Sequence, residues 1–143
     1  MMVDEALDEL GRREGYTRLT AEHPEERRWM TREEKRAELE SWCAQTGLST
    51  TDLLNGFAKI LAIEFHEGRA TYEFCDMVVN NLFEPIIEGV EQVIEGQSGT
   101  KLAWDVYLAF DAGEYYRAGE TPGSTGPDER TARLIADIVK RLR

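Results

Sequence analysis

Apolar residues recur every three or four positions along most of this chain, which is the spacing of one face of an α-helix. The pattern predicts four amphipathic helices, over residues 4–14, 32–46, 49–67 and 128–142. Thr31, followed three positions later by Glu34, forms a capping box that marks the start of the second helix. Gly68 marks the end of the third, because glycine readily adopts the left-handed conformation that closes a helix. In the first helix the apolar residues are Ala6, Leu7 and Leu10, and in the segment after it the predicted core contacts are Tyr16, Leu19, Trp29 and Met30. The residues predicted to face the core from the second helix are Ala37, Leu39, Trp42 and Cys43. Those of the last helix are Ala132, Ile135, Ile138, Val139 and Leu142.

The stretch 72–95 holds the densest run of large apolar residues and is expected to organise the fold. On a helical wheel its acids gather on one side, while apolar residues such as Val78 and Leu82 gather on the opposite side. Pro85 cannot donate a backbone hydrogen bond and disfavours helical angles at Glu84, so we expect a kink or a break there. The prediction is a central helix pair, broken or kinked at Pro85, with a core side and an acidic side.

Residues 101–116 predict a further helix, although the sequence VYLAF within them also fits a buried strand. The stretch 119–127, rich in Gly, Pro, Ser and Thr, predicts an exposed loop. Together the elements predict an all-α, single-domain bundle of five or six helices packed around the 72–95 pair. Within this one domain, residues 1–30 are expected to form an N-terminal helix and an irregular segment, and residues 31–143 the helical core.

The net charge of the 143-residue chain is -11 at pH 7, and the excess of acids is concentrated in the middle of the sequence. Residues 51–100 carry nine acids and two bases, whereas residues 101–143 carry seven of each. Direct contact with nucleic acid is disfavoured, because phosphate contacts need clustered Lys and Arg. A basic protein partner or a cation is favoured, and the alternative is that the acids serve only solubility.

The lengths of the apolar runs and the two cysteines indicate the cellular compartment and whether the chain contacts a membrane. No run approaches the roughly 18 apolar residues of a membrane span, and the N-terminus lacks the basic-then-apolar order of a secretion signal. Cys43 and Cys75 lie beside apolar residues in helical patterns, which indicates buried thiols rather than a disulfide. We therefore expect a cytoplasmic protein without membrane contact, and the sequence does not specify its oligomeric state.

Motifs that carry chemistry are absent from the sequence, including phosphate-binding glycine loops, HExxH, GxSxG and CxxC. Glu64 lies at the margin of an apolar face, where it is either a functional acid or the partner of an arginine. An alternative hypothesis is a metal-dependent or small-ligand enzyme that uses Glu64, Asp76 and Asp111. However, Glu64 and His66 point about 200° apart on a helix and cannot share an ion. We expect no catalytic residue, no metal and no cofactor.

Two blocks of sequence, YEFCDMVVNNLF at 72–83 and WDVYLAFDAGEYYR at 104–117, resemble segments of small acidic bacterial immunity proteins of the contact-dependent growth-inhibition type. The resemblance covers 26 of the 143 residues. It implies a non-enzymatic protein that binds one cognate toxin and blocks it. It transfers no contact residues, because immunity proteins diverge most where they touch their toxin.

An inhibitor of a nuclease toxin gains association rate from an acidic surface that faces the toxin's basic cleft. The acidic side of 72–95 and the acids and tyrosines near the end of 101–116 supply such a surface. The predicted partner-binding residues are Glu73, Asp76, Glu84, Glu88, Glu91, Glu95, Asp111, Glu114, Tyr115 and Tyr116. The competing hypotheses are a regulatory or scaffold module for another protein partner, and an acidic stripe that is only the solvated face of a core helix.

Overall fold

Six helices account for most of the residues that the computed structural model describes, which are 1–23, 25, 30–82, 101–114 and 127–143. They are α1 (Val3–Arg13), α2 (Arg32–Thr46), α3 (Thr50–His66), α4 (described over 72–82), α5 (Lys101–Asp111) and α6 (Pro127–Leu142). No strand occurs in these ranges, and a single isolated bridge joins Tyr16 to Ala21.

The predicted all-α, single-domain bundle is confirmed. The strand alternative for VYLAF is wrong because α5 contains it. The predicted break at Pro85 lies outside the described residues.

Side-chain caps fix where α2 and α3 begin. The Thr31 hydroxyl accepts a hydrogen bond from the Glu34 amide at 3.1 Å, and the Glu34 carboxylate accepts one from the Thr31 amide at 3.2 Å. Ser49 accepts from the Asp52 amide at 3.1 Å in the same way. Each cap satisfies backbone donors that the first turn of a helix leaves without a partner. Gly47 ends α2 in the left-handed conformation, with φ 74°.

The centre of the core is α3, which packs against α1, α2, α5 and α6. Its buried residues come from more than one side of the helix, so several neighbours can cover them at once. These residues are Leu53, Leu54, Phe57, Ala58, Leu61 and Ala62. Aromatic edge-to-face contacts join α3 to its neighbours, since Trp42 meets Phe57 at 6.0 Å and Phe65 meets Phe110 at 5.3 Å between ring centroids.

The same core includes the first and fourth helices. Ala6, Leu7 and Leu10, the apolar residues of α1, are fully buried. The apolar side of α4 is buried as predicted, at Phe74, Cys75, Val78, Val79 and Leu82. The N-terminal helix therefore packs into the main body of the bundle.

Three predicted core positions are wrong, at Leu19, Ala37 and Ala132, which are all exposed. Leu19 lies in the turn after α1. On α2, Leu39 and Trp42 form the buried contact, and Ala37 faces solvent. On α6, Thr131 takes the buried position, because its hydroxyl donates a hydrogen bond to the Ala109 carbonyl at 2.8 Å. A buried hydroxyl with such a partner costs little, so a polar residue occupies a core site.

The end of α5 is held by side chains from two other helices. The Tyr72 hydroxyl on α4 donates to the Phe110 carbonyl at 2.9 Å, and Thr131 on α6 donates to Ala109. The last carbonyls of a helix have no partner within it, so these bonds satisfy them. Gly113 follows immediately and makes the close approach possible. A Cβ at this position would stand 2.3 Å from the Thr131 hydroxyl and 2.8 Å from the Tyr72 ring.

We predict that Gly113→Ala destabilises the fold by about 1–3 kcal/mol, the usual cost of overpacking a filled site. The added methyl must displace Tyr72 or Thr131 and so weaken the bonds that hold the end of α5. Urea unfolding followed by circular dichroism measures the change in the free energy of unfolding. A variant as stable as the parent would show that the junction has room to relax.

Candidate functional site

A cleft opens between the end of α1 and α4, with a volume of about 330 Å³. Its lining residues are Glu14, Tyr16, Tyr72, Glu73, Asp76, Met77, Asn80 and Asn81. We call it the acidic cleft, since three carboxyl groups and no Lys or Arg occur among these lining residues. Two of its lining residues, Glu73 and Asp76, belong to the surface that the sequence predicts for a partner.

The turn after α1 places α4 beside it. The Thr71 amide donates to the Arg18 carbonyl at 2.8 Å, which ties the start of α4 to this turn. The Thr71 hydroxyl accepts from the Phe74 amide at 3.1 Å and caps the helix. From this start, helical spacing sets Glu73, Asp76 and Asn80 on one side of α4, away from its buried apolar side.

The end of α5 is joined to the α4 side of the cleft. The Asn80 side chain donates to the Glu114 carboxylate at 2.9 Å, which links α4 to the residues just after α5. Asp111 lies one helical turn before Glu114 on the same segment, and its charge acts on Asp76. Four of the predicted partner-binding acids, Glu73, Asp76, Asp111 and Glu114, are therefore brought together.

Asp76 is the most perturbed acid of this group. Its side chain is half-buried, and its Oδ1 atom is buried without a hydrogen-bond partner among the described residues. Burial, followed by a hydrogen bond with Glu114 and the charges of Glu114, Asp111 and Glu73, raises the pKa of Asp76 to about 8. At neutral pH the Asp76 carboxyl is mostly protonated, because burial and the neighbouring negative charges both disfavour its carboxylate form.

A buried ion-pair network lies behind the cleft and was not anticipated from the sequence. Glu14 is only 3% exposed, and Arg13 contacts its carboxylate at 3.1 Å. Arg13 also pairs with Glu38 on α2 and reaches the Asn81 side chain at 3.4 Å. The run of charges at the end of α1 resembles an ordinary solvated helix end, so no local signal marks these residues as buried.

The remaining predicted partner-binding residues lie outside the described part of the chain. These are Glu84, Glu88, Glu91, Glu95, Tyr115 and Tyr116. The described site therefore consists of the first third of the predicted acidic side of 72–95, together with the end of α5.

Glu64, the acid at the apolar margin of α3, is the partner of arginines. Arg69 donates to both of its carboxylate oxygens at 3.0 Å, and Arg18 lies 3.8 Å away. These contacts favour the arginine-paired interpretation over a functional acid. In the described ranges, no group of three or more His, Cys, Asp or Glu side chains is arranged to hold a metal ion.

The described residues also bear on the predictions for the two cysteines and for membrane contact. Cys75 is fully buried and its pKa is raised by burial, whereas Cys43 is only partly buried, and both are free thiols. Among the described helices, none has the length and hydropathy needed to cross a membrane.

Comparisons with known proteins add no relative. No family model matches the chain, and no curated protein and no solved structure matches it either. The residues of the acidic cleft are therefore the basis for assigning a function.

We predict that Asp76→Asn makes the protein more stable than the parent at alkaline pH and leaves stability nearly unchanged near pH 4. The unfolded chain ionises this carboxyl near pH 4, whereas the folded protein keeps it protonated up to about pH 8. The stability that Asp76 contributes is thus present at low pH and lost as the pH rises through 8. Asparagine mimics the protonated form and avoids that loss, by about 1–2 kcal/mol once solvent screening of a half-exposed group is allowed for.

Urea unfolding across this pH range measures the difference between variant and parent. Glu40→Gln, at an exposed carboxylate on α2, is the matched control for the loss of one acid. A difference between Asp76→Asn and the parent that does not change with pH would contradict the raised pKa of Asp76.

Proposed function

We propose that this chain is a non-catalytic binding protein whose acidic cleft receives a basic segment of a protein partner. The observation that carries the proposal is a concave surface with three carboxyl groups, no lining cation, and a buried Asp76 oxygen that has no hydrogen-bond partner among the described residues. A Lys or Arg side chain supplies both the positive charge and the donor that this surface lacks. Phosphate groups of nucleic acid would be repelled, which favours a protein partner.

The proposal predicts that partner binding changes the protonation of Asp76. A cation in the cleft stabilises the carboxylate form and so lowers the Asp76 pKa from its raised value. Glu73, Asp111 and Glu114, the charges that act on Asp76, add to the attraction. Partner binding is therefore accompanied by proton release near neutral pH, and affinity rises as the pH approaches 8.

We further propose that the partner is a toxin with a basic cleft, such as a nuclease, and that binding neutralises it in the bacterial cytoplasm. The two blocks that resemble immunity proteins, 72–83 and 104–117, contain the four clustered acids of the site. An acidic surface that covers a basic catalytic cleft would block it and would associate quickly at low salt.

We expect Glu73→Lys to weaken partner binding by about tenfold or more, because it places a like charge against the basic segment. The matched control is Glu33→Lys. Glu33 is the second residue of α2, as Glu73 is of α4, and both are exposed. Partners captured from an extract of the source cells on immobilised parent protein are identified, and their affinity for all three proteins is measured by surface plasmon resonance.

The proposal predicts a basic partner whose affinity falls for Glu73→Lys and is nearly unchanged for Glu33→Lys. Co-expression then tests the finer proposal, since the parent should protect cells from the captured toxin and Glu73→Lys should protect them less. Equal affinity for the parent and both variants would rule out the acidic cleft as the binding site. A captured partner that is harmless when expressed alone would rule out toxin neutralisation.

A further inference from the structure

A second concave surface lies between α5 and α6, on helices that contribute no lining residue to the acidic cleft. Its volume is about 480 Å³. The lining residues are Lys101, Asp105, Leu108, Ala109, Leu134, Asp137, Ile138 and Arg141. We call it the α5–α6 groove, and neither the fold nor the proposed function uses it.

The middle of the groove is apolar and partly open to solvent. Ala109 and Ile138 are buried at its floor, whereas Leu108 and Leu134 are 43% and 40% exposed. Single exposed leucines are common on protein surfaces and need no explanation. Here one from each helix lines the same groove, so they form one contiguous apolar strip of the kind that marks association surfaces.

The rim of the groove is electrically balanced, unlike the rest of this acidic chain. It holds two bases and two acids, with Asp105 placed 2.9 Å from Lys101 and 3.7 Å from Arg141. The side chains of both bases are still at least 60% exposed. Asp137 makes no ion pair with any residue in the described ranges.

From this apolar strip and its balanced rim we infer that the α5–α6 groove is the contact surface between two copies of this chain. A two-fold contact places the same patch on both sides, so its charges must complement themselves. A rim with equal numbers of acids and bases meets this condition, since Asp137 of one copy can face Lys101 or Arg141 of the other. A strongly acidic or strongly basic partner would instead meet like charges at the rim.

The net charge of the chain restricts where two copies can meet. Two molecules with a charge of -11 repel each other, but salt screens charges beyond about 8 Å at physiological ionic strength. The charges close to the interface therefore dominate, and the α5–α6 groove is locally neutral. Residues 101–143, which supply both helices, carry seven acids and seven bases. The dimer leaves the lining of both acidic clefts free for a partner.

Sedimentation velocity of the full chain over a wide concentration range tests this inference. The parent should shift from monomer to dimer as its concentration rises. The double variant Leu108→Ser with Leu134→Ser should weaken self-association by at least about tenfold, because it removes the apolar strip. The matched control is Leu19→Ser, at a leucine that is 59% exposed in the turn after α1. It should leave the dimer intact.

Salt gives a second readout that does not depend on how the variants fold. Raising sodium chloride from a low to a physiological concentration screens the repulsion between two acidic molecules, so it should strengthen the dimer. A parent that stays monomeric at every concentration would overturn the inference. A dimer that survives the double variant, or that Leu19→Ser disrupts equally, would also overturn it. Circular dichroism confirms that each variant is helical.

Discussion

Burial of α3 by four neighbouring helices is the constraint on which the rest of the structure depends. Leu53, Phe57 and Leu61 are fully buried, and burying a side chain of this size contributes about 1.5–3 kcal/mol. Because α1, α2, α5 and α6 each cover part of α3, their positions relative to one another are set by it. The acidic cleft and the α5–α6 groove are two concave surfaces formed by these covering helices and α4.

Arg13 and Arg18 are drawn into ion pairs with other parts of the chain, and neither is a lining residue of the acidic cleft. Arg18 binds Asp4 at 2.7 Å and Asp8 at 2.8 Å on α1. Arg13 binds Glu38 from behind the cleft. Partly exposed ion pairs of this kind contribute little stability individually. Arg13 pairs with Glu14 in the lining, whereas Glu73 and Asp76 have no ion-pair partner among the described residues, so this part of the cleft can attract a basic partner.

Local patterns in the sequence were sufficient to predict the helices and most of the core. Helix starts follow from the caps at Thr31 and Ser49, and buried faces follow from the spacing of apolar residues. The acids Glu73 and Asp76 could be assigned to one side of a helix for the same reason. The spacing of apolar residues predicted the wrong core position where a specific hydrogen bond determines which residue is buried, as at Thr131.

The geometry of the site could not be predicted, because it joins residues that are far apart in the chain. Asn80 and Glu114 are separated by 34 positions, and Arg13 and Asn81 by 68. Neither pair leaves a local signal, since each residue alone looks like part of a solvated surface. The raised pKa of Asp76 arises from such distant neighbours together with its burial. The pKa of Asp76 is therefore raised only in the folded chain, where α1, α4 and the end of α5 lie together.

The measurement that tests this account most directly is the ionisation of the Asp76 carboxyl, followed by NMR of its carboxyl carbon as the pH is varied. The account predicts a midpoint near 8 in the free protein and a lower midpoint when a lysine-rich peptide is bound. A midpoint near 4, the ordinary value for an aspartate, would contradict it. So would a midpoint near 8 that the peptide, present in excess, leaves unchanged.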